Sequence, residues 1–288
     1  MPALTDMPLP AWRKSMGKSV IWLTLLPLLA GSAQADRFAP QLLPGLTVTT
    51  HTLRVDDEIV WVHEYQGPRP GFTFVSLHDD ENTAAQVARE YIAREGGRLV
   101  ELRHGRGRNV AIRHDGHKHW FDPNRMFTTE GLSRSLAYFL ALSDRNLETA
   151  LAFAGAIERI INVQPGGTII SMHNNTDDHL NINDYRKGGL YGANTREISI
   201  GNGHDTDDYF FTNDKAVFRA LADSGYHAAL MEESPPDDMG SLAFLARRMG
   251  ALYIVIEAQH GHLASQREML AALIPLLQKE AASDDSTR

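Results

Sequence analysis

Downstream of Asp36, short apolar runs alternate with longer stretches in which apolar residues return every three or four positions. The short runs are Glu58–Tyr65, Gly71–Leu77, Arg98–Leu102, Asn109–Arg113, Gly167–Met172, His227–Met231 and Ala251–Ile256. Their β-branched and aromatic residues, bounded by turn formers, predict strands. The longer stretches, Asn82–Arg94, Asp144–Asn162, Asp214–Ser224, Ser241–Met249 and Ala264–Lys279, have helical periodicity. Strands alternating with helices predict an α/β fold, a mostly parallel, mixed central sheet with helices on both faces. Three runs show no in–out alternation: Phe72–Leu77, Thr168–Met172 and Leu252–Ile256. Strands buried on both faces have this pattern, so these three belong at the centre of the sheet.

Each of those three runs ends in side chains suited to chemistry rather than to packing. After the first come His78 and Glu81, after the second His173, and after the third Glu257. Open parallel sheets bind ligands beyond the carboxyl ends of their strands, so the four side chains are expected to converge at one edge.

Residues 1–35 have a different pattern. Met16-Gly17-Lys18, an apolar run from Val20 to Ala30 broken by Pro27, and Ala33-Gln34-Ala35 before Asp36 match a secretory signal peptide cleaved after Ala35. The apolar run is shorter than the ~20 residues of a membrane span, so no stable span is expected after cleavage. The product is expected to be periplasmic or secreted. Residues 36–288 contain no internal repeat or low-complexity linker, which predicts a single domain.

Composition narrows the chemistry. With 28 Lys+Arg against 36 Asp+Glu, the formal net charge is -8, unsuited to the basic surface that nucleic-acid binding needs. The absence of cysteine excludes disulfide scaffolds, thiol nucleophiles and thiolate-bound zinc. No G-x-S-x-G string offers a serine nucleophile. A metal would have to sit on His, Asp or Glu. Two histidines and a carboxylate make a three-ligand zinc site with a position left for water, and a further carboxylate beside it can act as general base. His78, Glu81 and His173 are the candidate Zn2+ ligands, with Glu257 the candidate base. The predicted reaction is metal-assisted amide hydrolysis.

These residues also carry a resemblance. His78-Asp79-Asp80-Glu81 resembles the H-x-x-E zinc motif of the zinc metallocarboxypeptidase superfamily, which includes the aspartoacylase and succinylglutamate desuccinylase deacylases. Phe121-Asp122-Pro123-Asn124-Arg125-Met126-Phe127 is similar to its D-x-N-R-x-F segment, Ile170–Thr176 to its third-ligand strand, and Ile256-Glu257-Ala258 to the strand ending in the catalytic Glu. The resemblance implies the three-layer carboxypeptidase/phosphorylase-like fold. It also implies that Asn124 and Arg125 grip a substrate carboxylate, a role suited to the bidentate Arg fork. An Arg polarising the scissile carbonyl should lie between Glu81 and Asn124. Arg103, Arg106, Arg108 and Arg113 compete for that role, and spacing favours Arg108. A lid tyrosine has no clear counterpart among Tyr185, Tyr191, Tyr209 and Tyr226. The implied substrate is a short peptide or an N-acyl amino acid with a free carboxylate, and the predicted export, not the resemblance, adds cell-wall peptides as a source. A peptide-end binder that hydrolyses nothing is the alternative of another class.

Each residue also has a plainer reading. His78 with Asp79 and Asp80 could merely cap the helix from Asn82. Arg125 could pair with Asp122 on a surface turn, and Arg103–Arg108 could be a solvated hairpin rather than a patch steering an anion. His114, His117, His119, His260 and His262 are read as exposed loop residues, and Asp205, Asp207 and Asp208 lack calcium-loop spacing. Glu257 needs either a salt bridge or a catalytic task, because an unpaired acid closing an apolar strand would cost several kcal/mol.

Overall fold

The computed structural model describes residues 38–105, 107–177 and 179–285, with side chains through 279. The predicted signal peptide and Arg106 lie outside the described residues. Among those described, nine strands form one sheet in the order β1-β2-β4-β3-β7-β11-β9-β10-β8. They are β1 (Thr47–Val55), β2 (Glu58–Gln66), β3 (Thr73–Ser76), β4 (Arg98–Arg103), β7 (Thr168–Asn175), β8 (Thr195–Ser199), β9 (Tyr209–Thr212), β10 (His227–Met231) and β11 (Leu252–Gln259). β5 (Val110–His114) and β6 (His117–Phe121) form a separate hairpin, so the predicted strand at Asn109–Arg113 lies outside the main sheet.

The centre of the sheet is parallel, with β4, β3, β7 and β11 side by side. The three continuous apolar runs are β3, β7 and β11, as their pattern requires. Antiparallel pairings close both flanks, β1 with β2 and β2 with β4 on one side, β11 with β9 and β10 with β8 on the other. The sheet is therefore mixed and mostly parallel at its core.

Helices cover both faces. On one face pack α1 (Asn82–Glu95), α4 (Lys215–Asp223) and α6 (Leu263–Asp285), burying Ile92, Leu221 and Leu273 against Phe74, Ile170 and Ile254. On the other pack α2 (Thr129–Tyr138), α3 (Asp144–Ile161) and α5 (Leu242–Arg248), burying Leu136, Ile157 and Leu242 against Val75, Ile169 and Tyr253. Each such side chain contributes ~1.5–3 kcal/mol of burial. Among the described residues no helix is long and apolar enough to cross a membrane.

The structure corrects the predicted limits of two strands. β7 continues to Asn175 and β11 to Gln259, so His173 and Glu257 stand within paired strand rather than beyond it. Asn174 braces the extension. Its Nδ2 donates to Ala258 O at 3.1 Å and its Oδ1 accepts from Ala84 N at 2.9 Å, tying β7 to β11 and to the first turn of α1.

Candidate metal centre

The site is organised by a carboxylate that forgoes an ordinary task. Glu81 occupies the N-cap of α1, where a side chain usually accepts a hydrogen bond from the open N–H groups of the helix. Its side chain makes no such bond. Glu81 Oε1 instead accepts from His78 Nδ1 at 2.7 Å and Oε2 from His173 Nδ1 at 2.8 Å. The candidate ligand atoms of the three residues lie within 4.8 Å of one another, and all three residues are buried. The reading of His78 as a mere helix cap fails, because its ring points at this carboxylate.

The outer imidazole nitrogens are also held. His78 Nε2 donates to Asp122 Oδ1 at 2.9 Å, and His173 Nε2 meets Ser171 Oγ at 2.9 Å. Metal-binding histidines are typically oriented this way, one nitrogen facing the ion and the other held by a carboxylate or hydroxyl. A His-Glu-His donor set with both Nδ1 atoms turned inward fits zinc. These residues form a group able to hold a metal ion.

Asp122, absent from the predicted ligand and substrate residues, proves central. Its Oδ1 also accepts from Asn124 N at 2.8 Å, capping the 3-10 turn Pro123–Arg125, and Arg108 Nε lies 3.4 Å from its Oδ2. The surface pairing of Arg125 with Asp122 is therefore replaced by pairing to His78 and Arg108. The signal was present as the first position of the D-x-N-R segment, although the segment alone does not reveal that this Asp reaches His78.

Burial and charge set the protonation states. Burial pulls the His78 imidazole down, but the carboxylates of Glu81 and Asp122 outweigh it and hold the ring up at about 9. Burial would raise the Glu81 carboxyl, yet the two imidazoles hold it well below the usual carboxylate range. Asp122 is likewise pulled down against its burial by His78 and Arg108. Glu257 behaves oppositely: burial, reinforced by the charge of Glu81, pushes its carboxyl well above the usual range. Two carboxylates of contrasting proton affinity therefore stand together, an arrangement suited to acid–base work.

Glu257 pairs in register with His173 across β11 and β7 and lines a cleft of about 810 Å³. Arg108, Asn124 and Arg125 line the same cleft. Arg108 Nη1 donates to Glu81 Oε1 at 3.0 Å. Of its described competitors, Arg103 bonds Asn82 and Arg113 bonds Glu58, both away from the cleft. Asn124 Oδ1 accepts from Leu242 N at 2.9 Å, fixing the start of α5. Arg125 donates from Nη1 to Asn124 O at 2.7 Å and from Nη2 to Tyr191 OH at 3.2 Å.

Of the candidate lid tyrosines, Tyr185 and Tyr191 line the cleft. Tyr209 is buried behind Tyr185, and Tyr226 stacks on His204 elsewhere. His260, read from sequence as a loop residue outside the site, also lines the cleft. His114 and His119 stack on each other in the hairpin 5.0 Å apart, away from the site.

No protein-family model and no curated protein matches the chain. A comparison with solved structures finds a likeness to an aspartoacylase family protein from Mesorhizobium loti, with 13% identity over 80% of this chain and 68% of that one and a TM-score of 0.37.

Proposed function

We propose that this chain is a zinc-dependent amide hydrolase acting on a short peptide or N-acyl amino acid with a free carboxylate. One observation carries the reading: two imidazoles from distant segments turn their Nδ1 atoms onto one buried carboxylate, with a second carboxylate of raised proton affinity beside them. A structural ion-pair cluster has no need of the second. When bound, zinc would polarise a carbonyl and acidify water.

The chain's own residues supply the rest. His78, Glu81 and His173 would hold the ion, with Asp122 and Ser171 fixing the two rings. Glu257 accepts a proton from water and returns it to the departing nitrogen, a shuttle favoured by a carboxyl whose proton affinity burial raises above the usual carboxylate range. Arg125 and Asn124 orient the substrate through its carboxylate. Arg108, on the same side as Glu81, stabilises negative charge developing on the scissile carbonyl oxygen. The N-terminal pattern adds that the enzyme works outside the cytoplasm, where cell-wall peptides offer substrates of this kind.

The experiment compares wild type with Glu257→Gln on N-acyl amino acids and short muropeptides, with zinc content measured alongside. The expected result is hydrolysis of at least one class by wild type and a loss of ~10²–10⁴-fold in kcat with zinc retained in the variant. Equal rates in the two proteins would exclude Glu257 as the base. Tight product binding without turnover would favour the peptide-end binder.

A further inference from the structure

The floor of the cleft changes character along the strands. Register places His173, Glu257 and Tyr209 in one row, and Ser171, Val255 and Phe211 in the next. Two residues of strand span about 7 Å, so this next row lies one side-chain length from the row that holds Glu257. There the walls are apolar: Phe211, Met231, Met239, Phe244 and Val255 all line the cleft. Met231 lies two positions beyond Ala229, the register partner of Phe211, and so shares its face of the sheet.

Cations are scarce in this cleft. Among the described residues only two guanidiniums line it, and no lysine does. Arg108 is paired with Glu81 and Asp122 and, in the hydrolase reading, faces the scissile carbonyl rather than the substrate side chain. Among the described residues Arg125 hydrogen-bonds two neutral oxygens, those of Asn124 and Tyr191, and meets the Asp122 carboxylate only through its charge, which leaves it the guanidinium more open to a substrate anion. Asp80 and Asp122 line the same space and would oppose a second substrate anion.

Resting on the hydrolase reading above, we infer that the cleft selects substrates with one carboxylate, held by Arg125, on a residue whose large apolar side chain fills the pocket of Phe211, Met231, Met239, Phe244 and Val255. Acyl-aspartate and acyl-glutamate, with a second carboxylate, are rejected. The selection rests on the asymmetry of burial: an apolar group gains by leaving water, whereas a carboxylate entering this pocket loses hydration and finds no partner.

The test uses the zinc-loaded full chain and N-acetyl amino acids that differ only in side chain. The expected order of kcat/KM is phenylalanine and leucine above alanine by at least tenfold, and above aspartate by at least a hundredfold. Met239→Lys places an ammonium at the pocket from a loop position. It should lower the phenylalanine-to-aspartate ratio at least tenfold, mainly through KM. Val255→Phe, which narrows the pocket from within the sheet, should reduce turnover of the phenylalanine derivative more than that of the alanine derivative. A second readout is independent of hydrolysis. Calorimetric titration of free phenylalanine and aspartate into the zinc-loaded protein should show binding of the first only, weakened by Met239→Lys. If no substrate is turned over but phenylalanine binds selectively, the hydrolase reading fails and the pocket assignment stands. Aspartate binding or turnover equal to that of phenylalanine, a ratio unmoved by Met239→Lys, or binding of neither amino acid would overturn the inference.

Discussion

At the scale of single residues, the site depends on what each polar group touches. Glu81 gives up a helix-capping bond of ~1 kcal/mol to accept from two imidazoles, a choice that helix stability alone does not explain. Asp122 anchors the outer nitrogen of His78. Asp122→Asn keeps the shape but removes the charge, and groups in this position typically contribute about 10–100-fold to metal affinity. Competition with a chelator should therefore show zinc bound about 10–100-fold more weakly in that variant, and unchanged affinity would assign Asp122 to the 3-10 turn alone. His78, Glu81, His173 and Glu257 were legible in the sequence because each follows or closes an apolar run. Asp122 and His260 were not, because nothing local says that a turn residue or a histidine past β11 faces the same cleft.

At the scale of elements, β7 and β11 fix the geometry. Their eight-residue parallel register sets Glu257 beside His173, and Asn174 holds the two strands and α1 together. Asn174→Ala would leave the buried Ala84 N–H without its partner, at a cost of ~1–3 kcal/mol, with β11 loosened near Glu257. Chemical denaturation measures the first effect, and hydrogen exchange at Ala258 and Gln259 the second. A variant as stable as wild type would show that the stitch is dispensable.

His63 on β2 tests a different element. It is buried, with Nε2 donating to Phe38 O at 2.8 Å, and burial lowers its imidazole below 6.5. A depressed folded-state value means that the unfolded chain takes up the proton first. Stability from this group is present above pH 6.5 and lost as pH falls below it. Denaturation curves between about pH 7.5 and 5 should show that loss reduced in His63→Asn, and identical pH dependence would assign it elsewhere.

The elements hidden from pattern reading share a cause. β1 and β8 are edge strands that bury few side chains, and threonine, arginine and glutamate fill them, as suits edges that must not recruit a neighbour. β9 spans four residues, too few for alternation to register. In α2, Gly131, Ser133 and Ser135 dilute the helical stripe, although Thr128 caps it by accepting from Gly131 N at 3.1 Å.

At the scale of the whole molecule, the three-layer architecture makes the site possible. The candidate ligands lie in the loop that leads into α1 and on β7, the proposed base lies on β11, and the proposed substrate-binding Asn124 and Arg125 lie on a turn after β6. They span most of the described chain and meet only because the parallel centre of the sheet presents its carboxyl ends together. Three buried ionisable groups face one another there, a costly arrangement in an apolar core unless a cation or a task accompanies it. An ion that binds only the folded form would also stabilise it, by ~4 kcal/mol at a thousand times its dissociation constant.

The most direct measurement is elemental analysis by mass spectrometry of the purified chain, after dialysis against trace zinc, beside His78→Ala and His173→Ala variants shown to be folded by circular dichroism. The expected result is about one zinc per wild-type chain and almost none in either variant, since each removes one of three protein ligands. A wild-type protein without zinc, or variants that retain it, would contradict the assignment of His78, Glu81 and His173 as the metal centre.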